Sequence, residues 1–488
     1  MRKKVQFTFL ILVLSYASFI NAQETPKSAT DTIYPLVEKA QSDLGLLNRL
    51  KISGYIQAQS QKSDTIGSPA AFSGGNFSGL NNRFMVRRGR IKFAYTNDLS
   101  QYVLQFDVTE KGMGIKDAYA MFTDPWLKTF SLTAGAFNRP FGYEIEYSSS
   151  SRETPERSRI FQTLFNQERD LGAKLTIQAP KTSPWNFIKL DLGLVCGNGL
   201  NPETDKYKDL IAHLYATKTF MNENLTVGAG ASFYNGGWAN TESTTKNVPN
   251  YVYKMSGASF VKDSSYAIGA QLKRQYLGFE GQVSLNSGIG ITTLRGEYLM
   301  GTQPGTSSTS SSPTGIWTGS ATTTYTSTTT AGPDPKDSTK TIYTTKTTAS
   351  TVTPNSNAYL REFNGGYFYF VQSILQTRHE IVLKYDWYDP NTKVSGNEIG
   401  VNSTYDKATK KLTNPSGTGL ADIKYSTIGI GWIYHWNSNV KITAYYEMVK
   451  NETTNAAGLN ASLGTTGVTA LSKDQKDNVF TVRVQYKF

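Results

Sequence analysis

The chain ends FTVRVQYKF at residues 480–488, which puts Phe480, Val482, Val484, Tyr486 and Phe488 on one face of a strand and Thr481, Arg483, Gln485 and Lys487 on the other. An open soluble sheet could pack the apolar face on a core, but it offers no place for a closing exposed aromatic. A closed barrel in lipid uses both properties, because hydrocarbon wets one face, water wets the other, and closure removes the polar sheet edge. The stretch therefore predicts a membrane strand.

The opposite end agrees with an exported chain. Arg2, Lys3 and Lys4 form a charged start, residues 5–14 are apolar apart from Gln6 and Thr8, and Asn21-Ala22 ends in a small residue that suits cleavage before Gln23. Residues 1–22 thus read as a signal peptide, since a membrane-spanning helix needs about 20 apolar residues. Beyond it there is no 18-residue apolar run, and with 29 Tyr, 42 Gly and a mean hydropathy of −0.39 the remaining class is β. A single large barrel accounts for the length without a split into several domains. The lone Cys196 excludes an intramolecular disulfide framework. His213, His379 and His435 are scattered without ligand spacing, so neither a metal nor a cofactor is expected.

Period-two alternation marks sixteen segments, at 50–60, 83–96, 101–109, 115–122, 129–137, 169–178, 185–195, 210–219, 224–234, 278–285, 290–301, 359–375, 378–389, 422–434, 440–450 and 477–488. The expected fold is an all-β, transmembrane antiparallel barrel over residues 50–488. Short turns such as Asn97 to Ser100, Met221 to Glu223, 286–289 and His435 to Asn439 carry the Asn, Asp, Ser and Gly of tight periplasmic connections. Long connections at 61–82, 138–168, 235–277, 302–358, 390–421 and 451–476 fall on the opposite, extracellular side. Residues 262–276 could form another strand, but counting them breaks the parity, so they are assigned to a loop. The Ser/Thr-rich segment 302–358 lacks the large apolar residues of a core and reads as a mobile external loop, with a β-ribbon as the alternative. Residues 23–49 form a short periplasmic segment in which Leu36, Val37, Ala40, Leu44 and Leu47 recur at helical spacing.

If the apolar set of each strand faces lipid, the interleaved set lines the lumen and governs passage. In RFMVRRGRIKFAY, Ile91, Phe93 and Tyr95 face out, which leaves Arg88, Arg90 and Lys92 inside. The same parity turns Lys174, Lys189, Arg295, Lys384, Arg483 and Lys487 inward, together with the acids Asp107, Asp117, Asp191, Glu297, Asp386 and Glu447. Loss of three basic residues with the leader lowers the net charge from +12 but leaves it positive. Rings of Arg and Lys are a known device of anion pores, and guanidinium matches phosphate bidentately. The plainer alternative is that these charges pair across strands and keep the lumen hydrated.

RRGRIKF on an early strand, IKDAY, GAFNRPFGYE leading into a long loop, the run Glu156 to Arg159, RDLG at 169–172, TTLRGEY at 292–298 and KYDWYDPN at 384–391 together resemble the phosphate-selective porins O and P. The resemblance implies a porin of sixteen strands in the bacterial outer membrane, embedded in its lipid, usually a homotrimer, with long loops folded into each pore and basic residues guiding small anionic solutes, phosphate or polyphosphate among them. It also implies that the C-terminal strand ending in Phe488 is what the outer-membrane assembly machinery recognises. Pro140-Phe141-Gly142 would begin the constricting third loop, with Arg139, Arg157 and Arg159 as candidates for the constriction. Residues 138–168 contain four arginines, Arg152 included, and no lysine, so the family's lysine-rich clamp has no match.

Two other classes stand against passive diffusion. A barrel enzyme would need a nucleophile, a base and a group orienting the base; His213 and His435 show no evident partner in the sequence, Glu380 beside His379 points to the opposite face, and there is no G-x-S-x-G elbow. A non-conducting display or binding anchor remains the alternative to a pore. Nucleic-acid binding is not expected, because the basic residues are spread over alternating strands of an exported chain.

Overall fold

A computed structural model of the chain describes residues 50–488 apart from 67–70, 76, 78, 241–249, 314–321, 335–336, 353–356, 401–404, 407–410, 413–415 and 455–470, together with Gly45 and Arg49. The leader expected at 1–22 and nearly all of the helix expected between 31 and 50 lie outside the described residues.

The wall begins as an unbroken antiparallel meander: β1 (Leu50–Ser63), β2 (Asn82–Asn97), β3 (Ser100–Thr109), β4 (Gly112–Thr123), β5 (Phe130–Asn138), β6 (Arg169–Gln178), β7 (Ile188–Val195), β8 (Asp209–Phe220) and β9 (Leu225–Ala239). A short hairpin, β10 (Val252–Ser256) with β11 (Ser259–Asp263), precedes β12 (Gln271–Ser287) and β13 (Gly290–Gly305). A separate ribbon, β14 (Thr322–Asp334) with β15 (Asp337–Val352), precedes β16 (Ala358–Ser373) and β17 (His379–Asp389). A two-residue pair, β18 (Tyr405–Asp406) with β19 (Lys411–Leu412), precedes β20 (Tyr425–His435), β21 (Val440–Asn451) and β22 (Val479–Lys487).

The barrel closes where β22 pairs with β1, from Tyr55 opposite Lys487 to Ser63 opposite Val479, and the wall holds sixteen strands. Closure pairs the first strand with the last and removes the sheet's two terminal edges, which a barrel in lipid requires. Gly54 makes it sterically feasible: its N–H donates to the Phe488 carbonyl at 3.0 Å and its carbonyl accepts from the Phe488 N–H at 2.9 Å. A Cβ there would lie 2.4 Å from the Arg90 carbonyl oxygen and 2.7 Å from the Phe488 ring.

The expected parity is visible in the last strand, where Phe480, Val484 and Tyr486 are exposed to the lipid side while Thr481, Arg483 and Gln485 are buried inside. Among the described residues no helix is long and apolar enough to cross a membrane. The molecule crosses with strands, as a bacterial outer-membrane barrel does.

Three expectations are corrected. Residues 271–276 belong to the wall, because β12 starts at Gln271 instead of Gly278, and residues 259–263 form the outer strand of the β10–β11 hairpin, which joins β16 in parallel outside the alternating meander. Parity survives because that hairpin adds two strands beside the wall and none within it. The segment 302–358 is not a uniform loop: β13 continues to Gly305, and Thr322–Val352 forms the ribbon that the β propensity of Thr favours. The inner face, expected to be wetted by water, is apolar on one side, where Ile211, Tyr234, Tyr276, Leu299, Tyr367 and Val382 face inward.

Candidate functional site

The connection between β5 and β6, residues 139–168, folds into the barrel and carries two short helices, α1 (Gly142–Glu146) and α2 (Arg159–Leu164). Their apolar residues explain the apolar wall. Phe141, Ile145, Ile160, Phe161, Leu164 and Phe165 are buried against the inward residues of β8, β9, β12, β13, β16 and β17, with the Phe141 and Phe165 ring centroids 5.1 Å apart. Burying each such side chain contributes about 1.5–3 kcal/mol. Gly142 turns the chain at φ +63°, and a Cβ on it would lie 1.8 Å from Glu297 Oε1.

Polar contacts hold the rest of the loop. The Glu144 carboxylate accepts the Ser158 N–H at 3.0 Å and the Tyr369 hydroxyl at 3.3 Å. Glu297 accepts the Glu144 N–H at 3.1 Å and the Tyr367 hydroxyl at 2.9 Å. From above, Ser312 donates its N–H to the Thr163 carbonyl at 3.0 Å, and its hydroxyl accepts from Arg274 at 2.9 Å. The beginning of the Ser/Thr-rich segment is therefore part of the loop's support.

The charged face of the loop meets β1, β2 and β22. Glu156, buried, receives Arg87 at 2.7 Å, Arg88 at 2.8 Å and Arg483 at 2.9 Å. Burial opposes ionisation of this carboxyl, but the guanidiniums of Arg87, Arg88 and Arg483 outweigh it and hold its pKa well below the usual range. Consecutive arginines share one carboxylate because the alternation changes phase between them. Above, Arg83 donates to Gln61 and Gln59 donates to Met85 across the inner face; below, Arg88 donates to Gln57 and Arg90 reaches Ser149. The extra inward residue is what a bulge produces.

Of the remaining residues singled out from the sequence, all but Lys92 and Lys487 carry partners of identifiable kind. Arg90 lies 3.3 Å from Asp107, Arg139 2.7 Å from Asp170, Lys174 3.8 Å from Asp191, Lys189 2.8 Å from Asp191, Arg295 3.3 Å from Glu153 and Lys384 3.1 Å from Asp386. Arg157 pairs with Glu168, which also binds Arg169. Arg159 is stacked between the rings of Phe72 at 3.9 Å and Tyr425 at 3.8 Å. Arg139 does not stand in an open constriction: it is 1% exposed at the base of the loop. Lys92 is half-buried, and among the described residues no carboxylate lies within ion-pair distance of it.

Lys92 opens onto a cavity of about 240 Å³ between the loop and the periplasmic ends of β1, β2 and β22. Arg90, Arg157, Arg169 and Lys487 also line it, against the acids Asp117 and Glu146. Arg87, Arg152 and Arg169 were not singled out from the sequence as site residues; Arg87 has the wrong parity, and the phase change that brings it inside leaves no mark in the residue pattern.

The histidines are better partnered than the sequence suggested. His213 lies 2.5 Å from Glu280 and 3.7 Å from Glu146, and His435 lies 3.3 Å from Glu380. Among the described residues no hydroxyl is hydrogen-bonded to either ring. Glu146, Asp191 and His213 bring ligand-type atoms within 4.8 Å of one another, but the Lys189 ammonium lies 3.1 Å from Glu146 and 2.8 Å from Asp191 and supplies the positive charge there.

Comparison with known proteins gives a match to one family over part of the chain. Residues 72–185 match the model of the phosphate-selective porins O and P, which covers β2 to β6 and the inserted loop. No curated protein sequence matches the chain. Among solved structures, the outer-membrane channel DcaP of Acinetobacter baumannii is 12% identical, with a TM-score of 0.45 over 90% of this chain and 97% of that one. OmpT of Vibrio cholerae, in its trimer form, is 12% identical, with a TM-score of 0.44 over 90% and 99%. OmpF of Salmonella typhi is 10% identical, with a TM-score of 0.44 over 90% and 97%.

Proposed function

We propose that this outer-membrane porin-type barrel is a passive diffusion pore for small anions, inorganic phosphate among them. The observation that carries this reading is the cavity beside the third loop, where Arg90, Lys92, Arg157, Arg169 and Lys487 face two carboxylates. A cation-rich lining raises the local concentration of anions, and weak contacts at several sites let them leave. Lys174 and Lys189, part-exposed beside Asp191, extend the positive lining, while Arg88, Arg139, Arg159, Arg295, Lys384 and Arg483 are buried behind it, most of their charge balanced by acids. No cofactor, metal or catalytic step enters this function.

The test is the reversal potential of the purified protein in a planar bilayer under a KCl gradient, repeated with phosphate and with Lys92→Gln. Anion selectivity that falls in the variant supports the reading, and cation selectivity in the native protein removes it.

The packing of the third loop favours a second reading, a barrel closed at rest and used as a binding anchor. The Glu156 cluster and the aromatic side of the loop are both buried. Absence of conductance from correctly folded protein would select it.

The chain's partners on the first reading are lipid, anionic solutes and two further copies of itself. Support for the trimer comes from the wall at β2 to β4: β3 pairs with β2 only below Arg90, leaving Asn82–Gly89 above it, with Phe84 and Met113 exposed alongside. Such an edge with apolar residues is covered by association. The C-terminal strand ending in Phe488 serves as the signal to the assembly machinery.

A further inference from the structure

Arg152 lies in the third loop between α1 and α2, is 3% exposed, and none of its three guanidinium nitrogens hydrogen-bonds to a protein atom among the described residues. Its surroundings are rich in cations, and the carboxylates that share them are already engaged, Glu153 by Arg295 and Glu380 by His435. Arg88 on β2, Lys441 on β21, Arg483 on β22 and Arg157 in the loop all lie within electrostatic range of it. Glu156 cannot serve it, because that carboxylate is already shared by Arg87, Arg88 and Arg483. Lys441 spends its ammonium on the backbone carbonyls of Arg152 at 2.9 Å and Ser150 at 3.3 Å, which adds charge and removes none. The hydroxyl of Tyr369, a wall residue, also lies within electrostatic range of Arg152.

A buried guanidinium without a counter-charge is strongly unfavourable, and neutral water can satisfy its hydrogen bonds without offsetting the excess charge. We propose that Arg152 holds a resident inorganic anion, a halide or a tetrahedral oxyanion, which fastens the third loop to the wall of β2, β21 and β22. This anion is a structural counter-ion and not a solute in transit, so the proposal stands apart from the direction of the pore's selectivity. Planar donors in a fork suit either anion.

The experiment uses the full-length protein purified in detergent and exchanged into a buffer of a bulky organic anion at constant ionic strength. Bromide, and in a parallel series phosphate, is titrated while the thermal unfolding midpoint and chymotryptic cleavage within residues 139–168 are followed. A resident anion gives a saturable upward shift of the midpoint with matching loss of cleavage, retained in Arg152→Lys and lost in Arg152→Gln. Saturation by bromide identifies a halide site, and saturation by phosphate at lower concentration identifies an oxyanion site; both support the proposal. No saturable shift in the native protein, or an equal shift in Arg152→Gln, overturns it. If Arg152→Gln fails to fold, the native and Arg152→Lys titrations decide by the same criterion. Cation-selective current together with a saturable shift discards the anion pore and leaves this site in place.

Discussion

Arg87 and Arg88 follow one another in β2 and both bind Glu156, Arg87 through Nε at 2.7 Å and Arg88 through Nη2 at 2.8 Å. Regular alternation would send one of them to the lipid. The phase change between them puts two charges on the same face, and the third loop answers both with one carboxylate, which Arg483 of the closing strand also binds. The latch thus ties together the loop, an early strand and the barrel's seam.

Glu156→Gln tests the latch. It leaves two buried guanidiniums, Arg88 and Arg483, and the part-buried Arg87 without their shared counter-charge, so the fold loses about 3–5 kcal/mol. Chemical denaturation reads that loss. Current through the variant, if conducting, shifts toward stronger anion selectivity in the reversal potential.

The same carboxyl sets an acid limit. Its folded pKa is depressed, so its contribution is fully present above the unfolded value near 4.5 and disappears only as pH falls through the folded value, well below that. Loop protection from protease is expected to be constant from pH 8 to roughly 4.5 and to fail only in stronger acid.

Asp477 behaves in the opposite sense. Burial raises its pKa to about 6, against the attraction of Arg159. A carboxyl raised in the folded state favours folding below its unfolded value and loses that contribution as pH rises through about 6. Asp477→Asn should flatten the slope of stability between roughly pH 4 and 6, measured as the unfolding midpoint across that range.

Phe161→Ala tests the apolar side of the loop. Phe161 is fully buried beside Phe165 and Tyr367, so the cavity costs about 3–5 kcal/mol. Because the loop is anchored independently at Glu156, the barrel is expected to stay closed while chymotrypsin reaches residues 139–168.

Two deletions separate the parts of the Ser/Thr-rich segment. Removing 322–352 excises the paired ribbon and should leave heat-modifiable migration and protease resistance unchanged. Extending the deletion to 306–352 removes Ser312 and its bonds to Thr163 and Arg274, and the third loop should then become cleavable.

The helix expected in the N-terminal segment falls on residues outside the described ones, but most of the barrel was legible in the chain. The strand starting at residue 169 was placed to the residue, because Arg169 to Gln178 alternates cleanly between a long loop and the Ala179-Pro180 break. The strand starting at Gln271 was cut short, since KDSSYAIGAQLKRQY mixes charge and glycine and hides Arg274, which is fully buried against Asp209. Sequence parity placed Arg88, Arg90, Arg295, Lys384 and Arg483 inside, yet said nothing of their partners.

What the sequence by itself determined was the closed antiparallel wall, its two faces and the sidedness of its connections, because alternation and turn residues are local and a barrel in lipid must satisfy every edge. What only the tertiary structure decided was the content of the lumen. The third loop meets strands hundreds of residues away, Glu144 with Tyr369 and Glu156 with Arg483. Contacts of that range follow from how the loop packs, and they convert an expected open basic stripe into a paired, mostly buried network in which Lys92 and Arg152 stand out.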